Sequence, residues 1–212
     1  MRLLVLPLLL CACQGIDYQR LEEVQSEPQR PWSRQVGYAI DPGLFRDPPD
    51  CVMVLRAEGD VPSDLGAAIE DALARSLTAK VARVIAPAER DRLARDLAVD
   101  PAEEAGQRLL ARHARCRFFA LAKVMSAQRV FALIWAELSL GLTIEIIRAT
   151  DGQVLWTARH EVRRGDGGLP VSLLSLGGAA ARAGMAVSDD EAMVSMVDDA
   201  LRRMAVALPD LR

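Results

Sequence analysis

The chain has 212 residues, with 26 Lys and Arg against 29 Asp and Glu for a formal net charge of −3. No block of like charge and no basic stripe is present, so nothing attracts a phosphate backbone and nucleic acid is set aside as a partner. Hydrophobic residues make up 51% of the sequence but aromatics only 4%, so the apolar content is mainly Ala, Leu and Val, enough for one domain with a real core.

At the amino terminus Arg2 precedes an apolar run from Leu3 to Leu10, the charged and hydrophobic parts of an export signal. That run is too short to span a bilayer, which needs roughly 20 apolar residues. Leu10-Cys11-Ala12-Cys13 follows and resembles the lipobox read by lipoprotein signal peptidase, with Leu at −3, Ala at −1 and Cys13 as the residue that carries the lipid, palmitate included. Cys11 is the weaker choice because Leu10 is a poor −1 residue. Gln14, in place of Asp, resembles a substrate of the outer-membrane sorting pathway, so a lipid anchor on the periplasmic face of the outer membrane is expected. Residues 1–12 are then the signal peptide. Residues 13–50, interrupted by Pro28, Pro31, Pro42, Pro48 and Pro49, read as a lipidated tether spanning on the order of 35 Å as a coil. Within it, Val36, Tyr38 and Ile40 alternate like a short strand that can dock on a sheet edge.

The domain proper is expected over 51–212. Val52–Leu55 reads as a short buried strand, and Ser63 as the cap of a helix whose Leu65, Ile69, Leu73 and Leu77 recur every four residues. Val81–Ala86 is a second strand and Glu89–Leu97 a charged helix. Asp100-Pro101-Ala102-Glu103 starts a third helix that ends near Arg112, His113 and Arg115, where the helix dipole favours cations. Arg117–Val124 is a strand, and from Phe131 to Ala149 apolar residues alternate with Glu137, Ser139, Thr143 and Glu145, giving one buried and one wet face. Val154–Arg164 keeps Val154, Trp156, Ala158, His160 and Val162 on its apolar parity. A three-residue loop, Thr150-Asp151-Gly152, is expected to pair Ile146 with Trp156, with Gly152 at positive φ. A Gly-rich loop at 165–168 leads to Leu169–Val187. A last helix has Ser188 as cap, Glu191 in its first turn and an apolar stripe from Met193 to Leu208 before Pro209. The fold class is α/β, a mixed sheet of about five strands with a long C-terminal β-hairpin and helices mainly on one face.

This layout, with Arg117-Phe118-Phe119-Ala120-Leu121 leading to a hairpin at Asp151-Gly152-Gln153-Val154-Leu155-Trp156 and a final Leu208-Pro209, resembles the periplasmic lipoproteins related to CsgG and to the TolB amino-terminal domain over residues 51–210. It is also similar to the LpoB-like activators and to a neisserial-type lipoprotein family. The motifs are of low specificity, being turn chemistry plus a core Trp. The resemblance implies a non-enzymatic accessory or assembly factor in envelope transport or biogenesis that binds other envelope proteins: a transporter, secretion or cell-wall machinery. It also brings two alternatives, a CsgG-like oligomeric secretion-pore subunit and an LpoB-like activator of a penicillin-binding protein. CsgG has two barrel-forming hairpins per subunit and this chain shows one.

In a sheet of that type the strands after Cys51 and Cys116 are parallel neighbours. The two thiols left after lipidation in an oxidising compartment are therefore a candidate disulfide, the alternative being two small buried residues. Leu173, Leu174, Leu176, Gly177 and Gly178 have two readings, a core helix or a segment whose small residues let another copy of the chain or a membrane approach. No catalytic apparatus, cofactor or metal site is legible. His113 ends a helix, His160 lies on the inward parity of a strand, and neither has partners at ligand spacing. Ser172, Ser175, Ser188 and Ser195 lack a nucleophile elbow. Gly165-Asp166-Gly167-Gly168 lacks the basic residue of a phosphate loop.

Overall fold

The computed structural model describes residues 16–21, 35–132, 135–167 and 190–212. Its strands are β1 (Asp17–Arg20), β2 (Gln35–Ile40), β3 (Cys51–Val54), β4 (Arg83–Ile85), β5 (Phe118–Ala132), β6 (Trp135–Arg148) and β7 (Val154–Gly167). Its helices are α1 (Gly43–Arg46), α2 (Ser63–Leu77), α3 (Pro87–Asp96), α4 (Glu104–Ala114) and α5 (Asp190–Val206). The seven strands form one mixed, open sheet in the order β1-β2-β7-β6-β5-β3-β4. β3 lies parallel between β4 and β5. All four of its residues are buried, which is why it reads as a continuous apolar run and not as an alternation.

Side-chain parity then sorts the core into two layers. On one face Val52 and Val54 of β3 and Leu140, Leu142, Ile144 and Ile146 of β6 meet Ile69, Leu73 and Leu77 of α2 and Met193, Met196, Val197 and Leu201 of α5. On the other face Met53 and Phe119 pack with Ala94 of α3 and Leu110, Ala111 and Ala114 of α4. The two longest helices, with Leu44 of the short α1, thus share one face, and α3 and α4 cover the opposite face only at the β3–β5 end. The rest of that second face is the wet side expected for β6, carrying the Lys123–Glu145 pair at 2.9 Å and Arg163 between Glu161 and Glu137 at 2.7 and 3.8 Å.

Several local expectations are revised. The sheet has seven strands where about five were expected, and the two extra ones come from the segment read as tether. β2 pairs antiparallel with β7 from Val36↔His160 to Ile40↔Trp156, and β1 pairs parallel with β2. The alternation of Val36, Tyr38 and Ile40 is therefore that of an inner strand with β1 beyond it. β5 runs unbroken past Val124 to Ala132 and pairs with β6 along its length, so the meander holds two long hairpins where one was expected. A bulge at Met125 switches the positions of β5 that share the inward face of β6 from even-numbered to odd-numbered residues, which hides the strand's continuity from a period-two reading.

Ile146 does pair with Trp156, and Gly152 has φ +71°. The turn, however, spans four residues between Arg148 and Gln153, and a second bulge at Leu155 restores the register. That bulge leaves Val154 40% exposed and buries Leu155. Ser63 is the first helical residue of α2, behind Pro62, and makes no capping bond. Asp100 closes a turn, its carboxylate accepting from the Ala102 N–H at 2.8 Å, ahead of an α4 that begins at Glu104.

Candidate functional site

Cys13 and the segment Leu173, Leu174, Leu176, Gly177 and Gly178 lie outside the described residues. Cys51 and Cys116 are joined by a disulfide with Cα atoms 5.2 Å apart. The placement follows from the sheet. Cys51 opens β3, and Cys116 sits two residues before the Phe118 that pairs with Val52, so the bond crosses the starts of two parallel neighbours and fixes them to each other.

Cys116 also forms part of the wall of a cavity of about 630 Å³ between one face of α4 and the β6–β7 turn. Arg108 and Arg112 line it from α4, Arg115 from the residue that ends that helix, and Arg117 from the start of β5, with Ala149 and Thr150 opposite. Two of the four are neutralised at the surface. Arg108 pairs with Glu104 one turn back, and Arg117 is held by both Asp47 oxygens at 2.9 and 3.3 Å while its guanidinium lies 5.4 Å from the Phe118 ring centroid. Arg112 and Arg115 are exposed and have no ion pair or side-chain hydrogen bond among the described residues.

Helix capping does not account for those two side chains. The Ala111 carbonyl accepts from the Cys116 N–H at 2.9 Å, the Arg112 carbonyl from the Arg115 N–H at 3.2 Å, and the Ala114 carbonyl from Arg83 Nη1 at 3.0 Å. Three of the last four carbonyls are thus satisfied without them. Arg115 moreover sits at φ +52°, ψ +43°, the left-handed cap conformation in which glycine is the least costly residue.

Buried polar side chains lie elsewhere. Arg90 of α3, 2% exposed, donates to Glu70 Oε2 of α2 at 2.9 Å, to the Val54 carbonyl at 3.0 Å and to Asp91 at 2.9 Å, while Glu70 Oε1 accepts from the Ala57 N–H at 3.0 Å. This clamp ties the end of β3 to helices on both faces. No sequence motif announced it, because Glu70 and Arg90 each look like one more charge on an exposed helix face. His160 is 3% exposed and donates from Nδ1 to the Gln35 carbonyl at 2.8 Å, and its Nε2 has no partner among the described residues. Burial, first, and Arg203 beside it push its pKa below the ordinary histidine value, opposed by the Gln35 bond, Asp199 and Glu161. Among the described residues no three His, Cys, Asp or Glu side chains converge as a metal site, and no helix is long and apolar enough to cross a membrane.

No family model matches the sequence, and no curated relative matches it. Among solved structures the chain is similar to a PelC dodecamer from Paraburkholderia phytofirmans, at 20% identity over 84% of this chain and 97% of that one with a TM-score of 0.49. It is also similar to lipoprotein GNA1162 from Neisseria meningitidis, at 13% identity over 65% and 99% of the two chains with a TM-score of 0.49. A third, the LpoB C-terminal domain from Salmonella enterica, matches at 11% identity over 57% and 89% with a TM-score of 0.39.

Proposed function

We propose that the chain is a non-enzymatic, lipid-anchored envelope protein on the periplasmic face of the outer membrane, an accessory or assembly factor of the CsgG/TolB type that its sequence resembles, working through protein contacts. The observation that carries this reading is Leu10-Cys11-Ala12-Cys13 behind the short apolar run. The Cys51–Cys116 disulfide supports it, since such bonds persist in exported chains and are rare in a reducing cytosol.

The fold shortens the tether. β1 begins at Asp17, so Cys13 is at most roughly 14 Å of chain from the sheet, and the domain is held close to the lipid surface. The accessory reading is favoured over the pore because Leu138, Leu140, Leu142, Ile144 and Ile146, the apolar side of β6, are already buried in the core that α2 and α5 complete. A barrel strand would have to turn that side to lipid.

Two measurements test the proposal. Cys13→Ser should release the protein from the membrane fraction, and retention by membranes would refute the anchor. Crosslinking of the lipidated protein in cells should yield a defined transporter, secretion or cell-wall component at low copy number. Self-crosslinks alone, in a large ring, would replace this reading by the pore subunit.

A further inference from the structure

The arginine-lined cavity has more positive charge than the fold uses, and we propose that it is a binding site for a soluble phosphate-bearing ligand. Arg112 and Arg115 cap nothing and pair with nothing among the described residues, yet both face one cavity with Arg108 and Arg117. Each guanidinium is a planar fork of donors suited to bidentate contact. A single carboxylate is satisfied by one such fork, whereas a phosphate presents enough oxygens and charge for two or more. A cavity of about 630 Å³ is larger than phosphate alone needs and has room for the body of a phosphate ester.

The second observation is the conformation of Arg115. A residue with a Cβ in the left-handed region is strained, and glycine would relieve that strain at a helix end. Ala98 follows α3 at the same φ without lining the cavity, so what sets Arg115 apart is that its strained position puts a cation in the cavity wall. The Cys51–Cys116 bond in the wall holds α4's exit and the start of β5 in place before anything binds, which lowers the ordering cost of binding.

The assignment to a soluble ligand, in contrast to a lipid headgroup, rests on the anchored reading above. Asp17 is level in the sheet with Gln35, next to Val36, which pairs with His160 opposite Leu142. The cavity is at the Arg117 and Ala149 end, about eight residues or roughly 27 Å further along β6. The site therefore stands well along the sheet from the point at which the anchored segment enters it.

Glycerol 3-phosphate is the probe, titrated calorimetrically against the lipidated full chain in a neutral detergent, with glucuronate as the carboxylate control and phosphatidylglycerol vesicles as the lipid arm. Saturable binding of glycerol 3-phosphate is expected, weakened about tenfold or more by Arg112→Gln with Arg115→Gly. The same double variant should keep or raise the thermal midpoint, because glycine suits the helix end, and this separates lost binding from lost fold. No saturable binding by the wild type, equal binding by the double variant, or equal affinity for glucuronate overturns the site. Binding to the vesicles without binding to glycerol 3-phosphate overturns the soluble source. Failure of the anchor test above would leave the calorimetric result standing on its own.

Discussion

Arg90 and Glu70 form a buried ion pair whose loss can be predicted in sign and size. Arg90→Met leaves the Glu70 carboxylate, itself 9% exposed, without its charge partner and removes the donor from the Val54 carbonyl. Breaking one side of a buried pair costs about 3–5 kcal/mol. Glu70→Met strands Arg90 in the same way and also orphans the Ala57 N–H. The double change removes both charges, so its cost falls back to the two unpaired backbone groups, about 1–3 kcal/mol each at most. The singles should therefore lower the thermal midpoint by roughly 6–20 °C, at about 2–4 °C per kcal/mol for a chain of this size. The double should lose clearly less than their sum. Urea unfolding of the four proteins at one pH closes the cycle. A single-variant loss below about 1 kcal/mol, the range of an exposed pair, or additive losses would show that the clamp is not buried as described.

The disulfide closes a loop with a sequence separation of 65, so Cys51→Ser with Cys116→Ser should cost about 4 kcal/mol in the chain-entropy account, and reductant should lower the wild type's thermal midpoint but not the variant's. An ideal Cβ at Gly106 would lie 2.0 Å from the Asp100 carbonyl oxygen, while one at Gly66 meets nothing within 4 Å. Gly106→Ala is thus expected to destabilise by about 1–3 kcal/mol, and Gly66→Ala, within α2, to stabilise by about 0.5–1 kcal/mol, both read by urea midpoints. His160 carries a pH dependence. Above about pH 6.5 it is neutral folded and unfolded, and below that the unfolded chain takes up a proton that the buried ring resists, so stability falls with pH until the folded ring titrates too. Comparing wild type with His160→Leu from about pH 7.5 to about pH 5, the wild type should lose stability relative to the variant. A difference flat in pH would place the ring in solvent.

How far the fold was legible depended on whether a signal was local. The period-four stripe of Leu65, Ile69, Leu73 and Leu77 and the period-two alternation of β6 are written in consecutive residues; the helix stands where it was read, and the strand does so from Trp135 on, with Phe131 and Ala132 belonging to β5. The joining of β5 into one strand was lost because a single bulged residue, Met125, reverses the parity on which strand reading depends. β1 was lost, and the inner place of β2 with it, for a related reason. The alternation of Val36, Tyr38 and Ile40 marks β2 as a strand, but nothing local shows that its partner β7 lies more than a hundred residues away or that β1 stands beyond it. Of the cavity, sequence reasoning found the arginines but explained them by the dipole of α4. Seeing that the Ala114 carbonyl at the helix end already has a donor required Arg83, which arrives from β4.

The distribution of charge separates structural arginines from the others. Arg90 is buried and saturated, Arg83 spends a donor on a helix end, Arg148 and Arg163 answer neighbouring carboxylates, and each has a partner that fixes its place. Arg112 and Arg115 share none of this, nor do exposed arginines such as Arg46, Arg56, Arg92, Arg95 and Arg159, but these two stand together in one cavity wall beside the one disulfide of the described residues. In a chain whose acidic residues outnumber its basic ones, an unanswered pair of cations at a braced cavity is a local excess against the overall trend. Stability does not require it, since neither side chain has an ion pair or hydrogen bond among the described residues and Arg115 carries a conformational cost as well. Removing it should therefore leave the fold as stable or more so, and a role in binding predicts that the same change abolishes recognition of the anion. Loss of both together would make the two arginines part of the scaffold.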